Sequence, residues 1–393
     1  MKKKIYFDHA ATTPVDPSVQ KAMLPYFSDR FGNAASIHNF GQKAMAAVDQ
    51  SRAAIAKFLG CKSNEVIFTA GATESDNIAI QGLVKSGEHI ITSKIEHLAV
   101  LETCGEMEKR GVNITYLEVT KNGLVEVESV RKAIRPNTRL VSVMYVNNEI
   151  GTIQPIVEIG QLIQAVNAER KKQNLRQIYF HTDAVQAALY CDMNVVDLQV
   201  DLLSLSGHKI YGPKGIGILY RKIGTPVLPI QFGGHQEFGL RPGTLNVAGI
   251  VGLGQAVELL SSKKNLESEI KKIKRFRDNL IAGIKKSIPK AQLNGDQNKR
   301  TAANVHFSFY GVEGESLLLL LDQAGLAVST GSACSSGSLE PSHVLLALDL
   351  DPLLSHGSLR ITLGKDNTQS EVNYFLSVLP KIITKLRKIS PLK

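Results

Sequence analysis

Cysteine is scarce in this 393-residue chain, and its four cysteines, Cys61, Cys104, Cys191 and Cys334, stand dozens of residues apart with no CxxC pair. No zinc-ligand spacing exists, so neither a structural metal site nor any other bound metal is expected. Without a secretory context, scattered cysteines in a long chain read as reduced thiols and not as a disulfide framework. Long apolar runs are missing as well: a run such as Leu317 to Leu321 falls far short of the ~20 residues needed to cross a bilayer. The amino terminus, MKKKIYFDHAATTP, is positively charged but offers only three large apolar residues before Asp8 and His9, which does not make a signal peptide. A cytoplasmic address without membrane contact is expected.

Compositional bias toward disorder is also absent, since 43% of residues are hydrophobic and 21% charged, ordinary values for a folded globular protein. At about 150 residues per domain the length suggests two to three domains, or one large enzyme unit with a smaller companion. Forty-six Lys and Arg against thirty-six Asp and Glu leave +10. That surplus is compatible with nucleic acid, a membrane surface or an acidic protein, and alone it selects none of them. The densest basic stretch, SSKKNLESEIKKIKRFRD at 261–278, holds seven basic and three acidic residues and repeats Leu266, Ile270, Ile273 and Phe276 at helical spacing. It reads as the solvated face of a helix, not as a nucleic-acid groove.

What the chain does have, between about residues 60 and 220, is an alternation of short β-branched runs with helical stretches, the pattern of a mainly parallel sheet wrapped by helices. The runs are VIFTA (66–70), HIITS (89–93), LVSVMYV (140–146), IYFHTDA (178–184), LLSLS (202–206) and IGILY (216–220). Ligands of open α/β sheets sit beyond the carboxyl ends of the strands, which places Thr73, Asn148, Asp183 and His208 at one binding edge. A long helical pattern follows from Val247 to about Ile288, broken in charge style near 261–278. Then come a strand-like NVHFSF, a helix through ESLLLLLDQ, a Gly/Ser-rich segment, a strand LRITLG and a last amphipathic helix, together a smaller α+β unit.

Several stretches carry chemistry. SLSGHKIYGPKG, residues 204–215, delivers Ser206, His208 and Lys209 from a strand into a turn rich in Gly and Pro. A lysine at a strand end inside a cleft can lose its proton and attack an aldehyde, and an ordinary loop lysine is the alternative. In TAGATESDN, residues 69–77, a strand runs into Gly71, Ala72 and Thr73 and then a helix. Free amides at a helix start with a hydroxyl beside them suit a phosphate, and a plain Thr73 N-cap explains the same letters. Asp183 ends an apolar strand in HTDAVQ, with Gln186 three residues on. A buried Asp needs a cationic or donor partner, which a protonated pyridine nitrogen, a structural arginine or backbone amides could supply. His97, in SKIEHLAV, offers a flat ring for stacking, a proton carrier, or simply a structural histidine. An amine, an anion-binding helix start, a buried acid and an aromatic plate are jointly the requirements of pyridoxal phosphate. Cys334 sits in STGSACSSGSLEPS, where eight of fourteen residues are Ser or Gly, a composition that reads as a mobile arm able to carry a thiol between a buried substrate and an outside acceptor. Cys61, Cys104 and Cys191 lie in or beside apolar patterns and read as packed or incidental.

Over nearly its whole length the sequence resembles the NifS/IscS-type cysteine desulfurases, pyridoxal-phosphate enzymes of fold type I within the class V aminotransferases. The segments that carry the resemblance are YFDHAATTPVDP, GATESDN, SKIEH, VNNEIG, HTDAVQ, SGHKIYGPKG, RPGT, GSACSSGSLEPSHVLLAL and LRITLG. The resemblance implies an α/β fold with a large cofactor-binding domain, residues 16–262, whose mainly parallel sheet is flanked by helices. Residues 1–15 and 263–393 would form a smaller α+β domain carrying a catalytic-cysteine loop at about 329–342. It further implies that Lys209 holds pyridoxal 5'-phosphate covalently, Asp183 pairs with the ring nitrogen, Gln186 hydrogen-bonds the ring oxygen and His97 stacks on the ring. Ala72, Thr73, Ser206 and His208 would hold the phosphate, with Thr244 of RPGT completing the cup from the neighbouring subunit of an obligate homodimer. Asn148 and Arg360 would hold the substrate carboxylate, where Arg gives a bidentate fit that Lys does not.

The activity implied is conversion of L-cysteine to L-alanine. Lys209 would take the Cα proton, His97 would carry the thiol proton, and Cys334 would receive the sulfur as a persulfide. The sulfur would pass on to an acceptor protein for iron–sulfur cluster assembly or for tRNA or cofactor thiolation. The positive surplus then suits acidic acceptor proteins, and no direct nucleic-acid contact is expected. A selenocysteine lyase or an aminotransferase is the nearest rival, although an aminotransferase has no need of Cys334, and the intact set of chemical groups speaks against a non-catalytic cofactor-binding interaction protein. Two segments depart from the family pattern: GGHQEFG places His235 and Phe238 where Gly and Arg are frequent, and GNAAS at 32–36 stands for GNPAS. The chain also closes at SPLK, where IscS-type relatives often extend into a tail used in scaffold docking, so desulfuration is implied more directly than scaffold partnership.

Overall fold

The computed structural model describes residues 4–261, 263–330 and 341–390. A short strand, β1 (Ile5–Tyr6), and two helices, α1 (Pro17–Met23) and α2 (Asn39–Leu59), precede the main sheet. The chain then alternates: β2 (Val66–Thr69), α3 (Ala72–Gln81), β3 (His89–Ser93), α4 (Leu98–Lys109), β4 (Asn113–Leu117), α5 (Val127–Ala133) and β5 (Thr138–Ser142). It continues through α6 (Ile156–Lys172), β6 (Tyr179–Asp183), α7 (Val195–Leu198), β7 (Leu202–Ser206) and β8 (Gly217–Arg221). The strands form one seven-stranded sheet in the order β2-β8-β7-β6-β5-β3-β4. Every neighbouring pair is parallel except the two made by β8, which runs antiparallel to both β7 and β2.

Strand side chains alternate between faces, and here helices cover both faces, so apolar residues of one strand enter two different cores. In β2, Val66 and Phe68 enter the core beneath α2, α6 and α8, while Ile67 between them enters the core beneath α3 and α4. Leu203 and Leu205 of β7 divide from Leu202 in the same way.

Beyond the sheet, α8 (Val247–Leu260) and α9 (Lys263–Ser287) are two helices, not the single pattern read from Val247 to Ile288. After them come β9 (Ala291–Leu293), β10 (Asn304–Phe309), α10 (Gly314–Gln323), β11 (Leu326–Ala327), α11 (His343–Ala347), α12 (Pro352–Ser355), β12 (Ser358–Thr362) and α13 (Gln369–Ile389). Strands β12, β10 and β9 make an antiparallel sheet, and β1 pairs in parallel with β11. A separate core forms around Phe7, Phe307, Phe309 and Phe375, each fully buried. Complete burial of one such side chain stabilises by about 1.5–3 kcal/mol before entropy is counted. Ile273, Phe276, Leu280 and Ile284 turn one stripe of α9 into this core, leaving Lys271, Lys274 and Arg275 in solvent as expected for a solvated helix face. No helix among the described residues is long and apolar enough to cross a membrane.

Candidate active site

The carboxyl ends of the strands open onto a cavity of about 970 Å³. Ala72, Thr73, His97, Asn148, Asp183, Gln186, Ser206, His208, Lys209 and Arg360 all line it, which brings ten of the twelve expected site residues together. Thr244 does not line it and is exposed, and Cys334 lies outside the described residues.

Lys209 reaches the cavity because the chain leaves β7 at Ser206 and folds at once into a single 3-10 turn, Gly207–Lys209. Its Nζ donates to the carbonyls of Ala10 (2.5 Å) and Ala11 (2.7 Å), and Gln186 Nε2 donates to the same Ala10 carbonyl (3.0 Å). Thr13 locks this arrangement: its backbone amide and hydroxyl both donate to the His208 carbonyl, while its Oγ1 accepts from Tyr211 N at 2.8 Å. His208 Nδ1 lies 3.1 Å from Thr12 Oγ1. Burial, and then Lys209 and Lys214, push the His208 imidazole down to about 4, so it is neutral near pH 7. Ala10, Ala11 and Thr12 are thus parts of the site that residue-by-residue reasoning did not assign. Their only signal was the non-periodic DHAATTP segment itself.

The helix start at Ala72 is held against the sheet by Ser75, whose hydroxyl lies 2.8 Å from Thr69 Oγ1 and donates to Ile218 O at 2.9 Å. Gly217 of β8 passes close beneath: a Cβ there would come within 2.8 Å of Gly71 backbone atoms and 2.6 Å of Leu205 O. Glu74 in the first turn accepts from Ala70 N and from Arg241 Nε (3.0 Å), tying the 233–244 loop to this helix end. That loop is itself anchored by Glu237, which bonds Arg52 through both carboxylate oxygens at 2.7 and 2.8 Å and accepts from Phe68 N. Phe238, one of the departures from the family pattern, adopts φ +59° and sets its ring 5.3 Å from the Arg52 guanidinium. Thr244 follows, in solvent.

Asp183 is buried at the end of β6. Burial raises its proton affinity above the ordinary carboxylate range, opposed by His97, by the Val185 amide (2.9 Å to Oδ1) and by Lys209. His97 caps α4, its Nδ1 accepting from Ala99 N at 3.1 Å, which fixes the ring at the cavity edge. Asn147 shapes the next corner. Its Oδ1 accepts from the amides of Glu149 and Ile150 (both 2.9 Å), which turns Asn148 toward the cavity. Arg360, from the middle of β12, donates to Asn148 O at 3.1 Å and to Asp8 Oδ1 at 2.9 Å.

Cys61, Cys104 and Cys191 take no part. Burial, reinforced by neighbouring acidic groups, pushes each thiol up to about 12, which leaves them unreactive. The described residues flanking Cys334 are tied to the site's own elements: Ser329 and Arg360 exchange backbone hydrogen bonds at 2.7 and 3.2 Å, and Ser342 Oγ donates to buried Glu149 at 2.5 Å.

The donor set fits pyridoxal phosphate. A buried carboxylate with too little positive charge around it, an amine at a strand end, a helix start with exposed amides and a fixed imidazole all face one cavity of suitable size. The comparisons agree. The family model "Aminotransferase class-V" matches residues 5–375. Cysteine desulfurase IscS of Dictyoglomus turgidum is 50% identical across 100% of this chain and 98% of its own length, and that of Methanosarcina thermophila is 50% identical across 99% and 94%. Among solved structures, a NifS-like protein superposes with a TM-score of 0.87 at 35% identity, covering 97% of this chain and 100% of its own. SspA in complex with cysteine follows at 0.77 and 38%, covering 94% and 100%. The architecture is that of the fold type I pyridoxal-phosphate enzymes. With full-length likeness in sequence and fold and the cavity residues in place, the chain belongs to the class V aminotransferase family, among its NifS/IscS-type cysteine desulfurases.

Proposed function

We propose that this chain is a cytoplasmic, homodimeric cysteine desulfurase that uses pyridoxal 5'-phosphate to convert L-cysteine to L-alanine. The observation that carries the reading is the convergence of Lys209, Asp183, His97 and the Ala72–Thr73 helix start, distant in sequence, on one cavity. When bound, pyridoxal phosphate supplies an electron sink for the Cα of an amino acid. The rest falls to the chain's own residues. Lys209 holds the cofactor covalently and its Nζ takes the proton from the substrate Cα. Asp183 keeps the proton on the ring nitrogen, Gln186 bonds the ring oxygen, and His97 lies against the ring. Ala72, Thr73, Ser206 and His208 bind the phosphate, and neutral His208 does so as a hydrogen-bond donor. Arg360 and Asn148 orient the substrate carboxylate. Because His97 Nδ1 accepts from Ala99 N, Nε2 is the atom through which it moves the substrate thiol proton. Cys334 takes the sulfur as a persulfide: the S–S bond forms as the substrate Cβ–Sγ bond breaks, Cβ is protonated, and alanine leaves.

The core around Phe7, Phe307, Phe309 and Phe375, separate from those flanking the main sheet, supports a division into a large domain, residues 16–262, and a small one from residues 1–15 and 263–393. Exposure of Thr244 and of the large apolar residues Phe31, Ile37 and Phe232 supports a dimer in which Thr244 reaches the partner's phosphate site. The persulfide sulfur goes to an acceptor protein serving iron–sulfur assembly or thiolation, and the +10 surplus suits an acidic one.

Purified protein with dithiothreitol should be yellow and release alanine and sulfide from L-cysteine. Lys209→Ala should abolish activity and the colour change on adding substrate. Persistence of the colour change would sink the cofactor assignment, and full activity in Cys334→Ala would sink the persulfide step alone.

A further inference from the structure

Asp76, in the second turn of α3, is completely buried and lines the cavity, yet neither carboxylate oxygen has a hydrogen-bond partner among the described residues. The one base within ion-pair distance among them is His181, whose Nε2 lies 3.5 Å from Oδ1. His181 is itself fully buried on β6, two residues before Asp183, so that both side chains point to the same face of the strand. Its two nitrogens are engaged by hydroxyls from the neighbouring strands, Nδ1 with Ser142 Oγ at 2.9 Å and Nε2 with Ser204 Oγ at 3.1 Å. That pairing satisfies a neutral imidazole, and burial pushes the ring down to about 3. His181 therefore gives Asp76 no positive charge.

Asp183 faces the same space, and two carboxylates in a dry site do not both ionise. The surroundings decide which one does. Asp183 has the Val185 amide as donor, and His97 and Lys209 beside it oppose the effect of burial. Asp76 faces Asp183 and Glu96, both acidic, and the Ser204 hydroxyl, which also lies 3.1 Å from His181 Nε2, works against their effect. Glu96 accepts from Ser93 Oγ (2.6 Å) and Met144 N (3.0 and 3.1 Å), and burial pushes it up to about 8.

We propose that Asp76 is a positioning residue that carries a proton in the working protein, leaving Asp183 as the charged member of the pair and hence as the partner of the cofactor's ring nitrogen. The inference rests on the cofactor reading of Asp183, but the state of Asp76 is measurable without it. In the unfolded chain Asp76 ionises near pH 4, whereas in the folded protein it keeps its proton. The folded state thus binds more protons than the unfolded one above that pH, and this group's contribution to stability falls as pH rises. An amide in its place removes the fall.

The test compares holoenzyme Asp76→Asn with wild type by thermal melting from about pH 5 to about pH 8, where the difference in melting temperature, variant minus wild type, should climb steadily with pH. A difference that stays level or declines overturns the proposal. Infrared spectroscopy of wild-type holoenzyme grown with ¹³C-aspartate should show a protonated-carboxyl stretch shifted by the label, which separates it from Glu96, and Asp76→Asn should remove it. If wild type lacks such a band, or the variant keeps it, the proposal fails, and the wild-type measurement stands even if the variant does not fold. Asp183→Asn should lose cofactor on dialysis. Retention there would count against the cofactor reading while leaving the Asp76 result intact.

Discussion

Arg360 Nη2 and Asp8 Oδ1 lie 2.9 Å apart, joining the centre of β12 to a residue 352 positions earlier, while Arg360 Nη1 donates to Asn148 O. The Arg360 side chain is 3% exposed and that of Asp8 17%, so this is a largely desolvated, charge-assisted contact. Two partners from two chain segments fix the plane of the guanidinium. Lysine keeps the charge but cannot hold both partners and present a flat fork to a carboxylate. Arg360→Lys should raise KM for L-cysteine by about tenfold or more, since hydrogen bonds to charged groups contribute about 1.5–3 kcal/mol each. Steady-state alanine formation measures it.

Thr13 stands behind Lys209 without touching the cavity. Its hydroxyl bridges His208 O and Tyr211 N, and the residue is 1% exposed. Thr13→Val keeps the shape and the backbone bond to His208 O but strands the Tyr211 amide, at a cost of about 1–3 kcal/mol. A lower melting temperature and faster loss of cofactor on dialysis are expected, with Thr13→Ser close to wild type.

Gly217→Ala is expected to disturb the phosphate end of the site. The added methyl would meet backbone of Gly71 and Leu205, which cannot swing aside as a side-chain tip can. Equilibrium binding of pyridoxal phosphate to the apo-protein should weaken clearly, while the same substitution at Gly105, where a Cβ meets nothing within 4 Å, should leave it unchanged.

Acid should destabilise the fold well before its carboxylates are protonated. Burial holds His89 and His208 down to about 4, and His181 and His306 to about 3. The unfolded chain binds protons at ordinary imidazoles near pH 6.5 that these folded rings refuse, so their contribution is present above that value and is lost as pH falls toward 4. His89 sits between Thr138 Oγ1 and Thr115 Oγ1, 2.8 Å from each. His89→Gln should melt lower at neutral pH and show a shallower decline between about pH 6.5 and pH 4.5.

Six strand runs were legible because buried strands concentrate β-branched and apolar residues over four to seven positions. The run 140–146 nevertheless overshot. Regular pairing stops at Ser142, and Val143 and Tyr145 follow β6 irregularly, donating to His181 O and Asp183 O. β4 escaped notice because it is a half-exposed edge strand, NITYL, without a continuous apolar signal. β1 and β11 are two residues each, and a pairing 321 positions apart leaves no local trace. The break between α8 and α9 shows in the sequence only as a change of charge style near 261–278, because helical spacing of apolar residues resumes after it. At the site, side chains with distinctive chemistry, such as Lys209, Asp183 and Arg360, were readable. Ala10 and Ala11 act through backbone carbonyls, which any sequence could supply, so only the folded chain reveals them.

The short pairing of β1 with β11 carries a consequence for biosynthesis. Residues 8–13, which supply the acceptors for Lys209 and the lock on its turn, are delivered by a strand whose partner is Leu326–Ala327 and whose Asp8 binds Arg360. A nascent chain that has emerged as far as α8 already contains every strand of the main sheet and the lysine itself, but not the elements that seat its N-terminal segment. Seating of this segment by β11 and Arg360 therefore waits until nearly the entire polypeptide has left the ribosome, long after Lys209 itself has emerged.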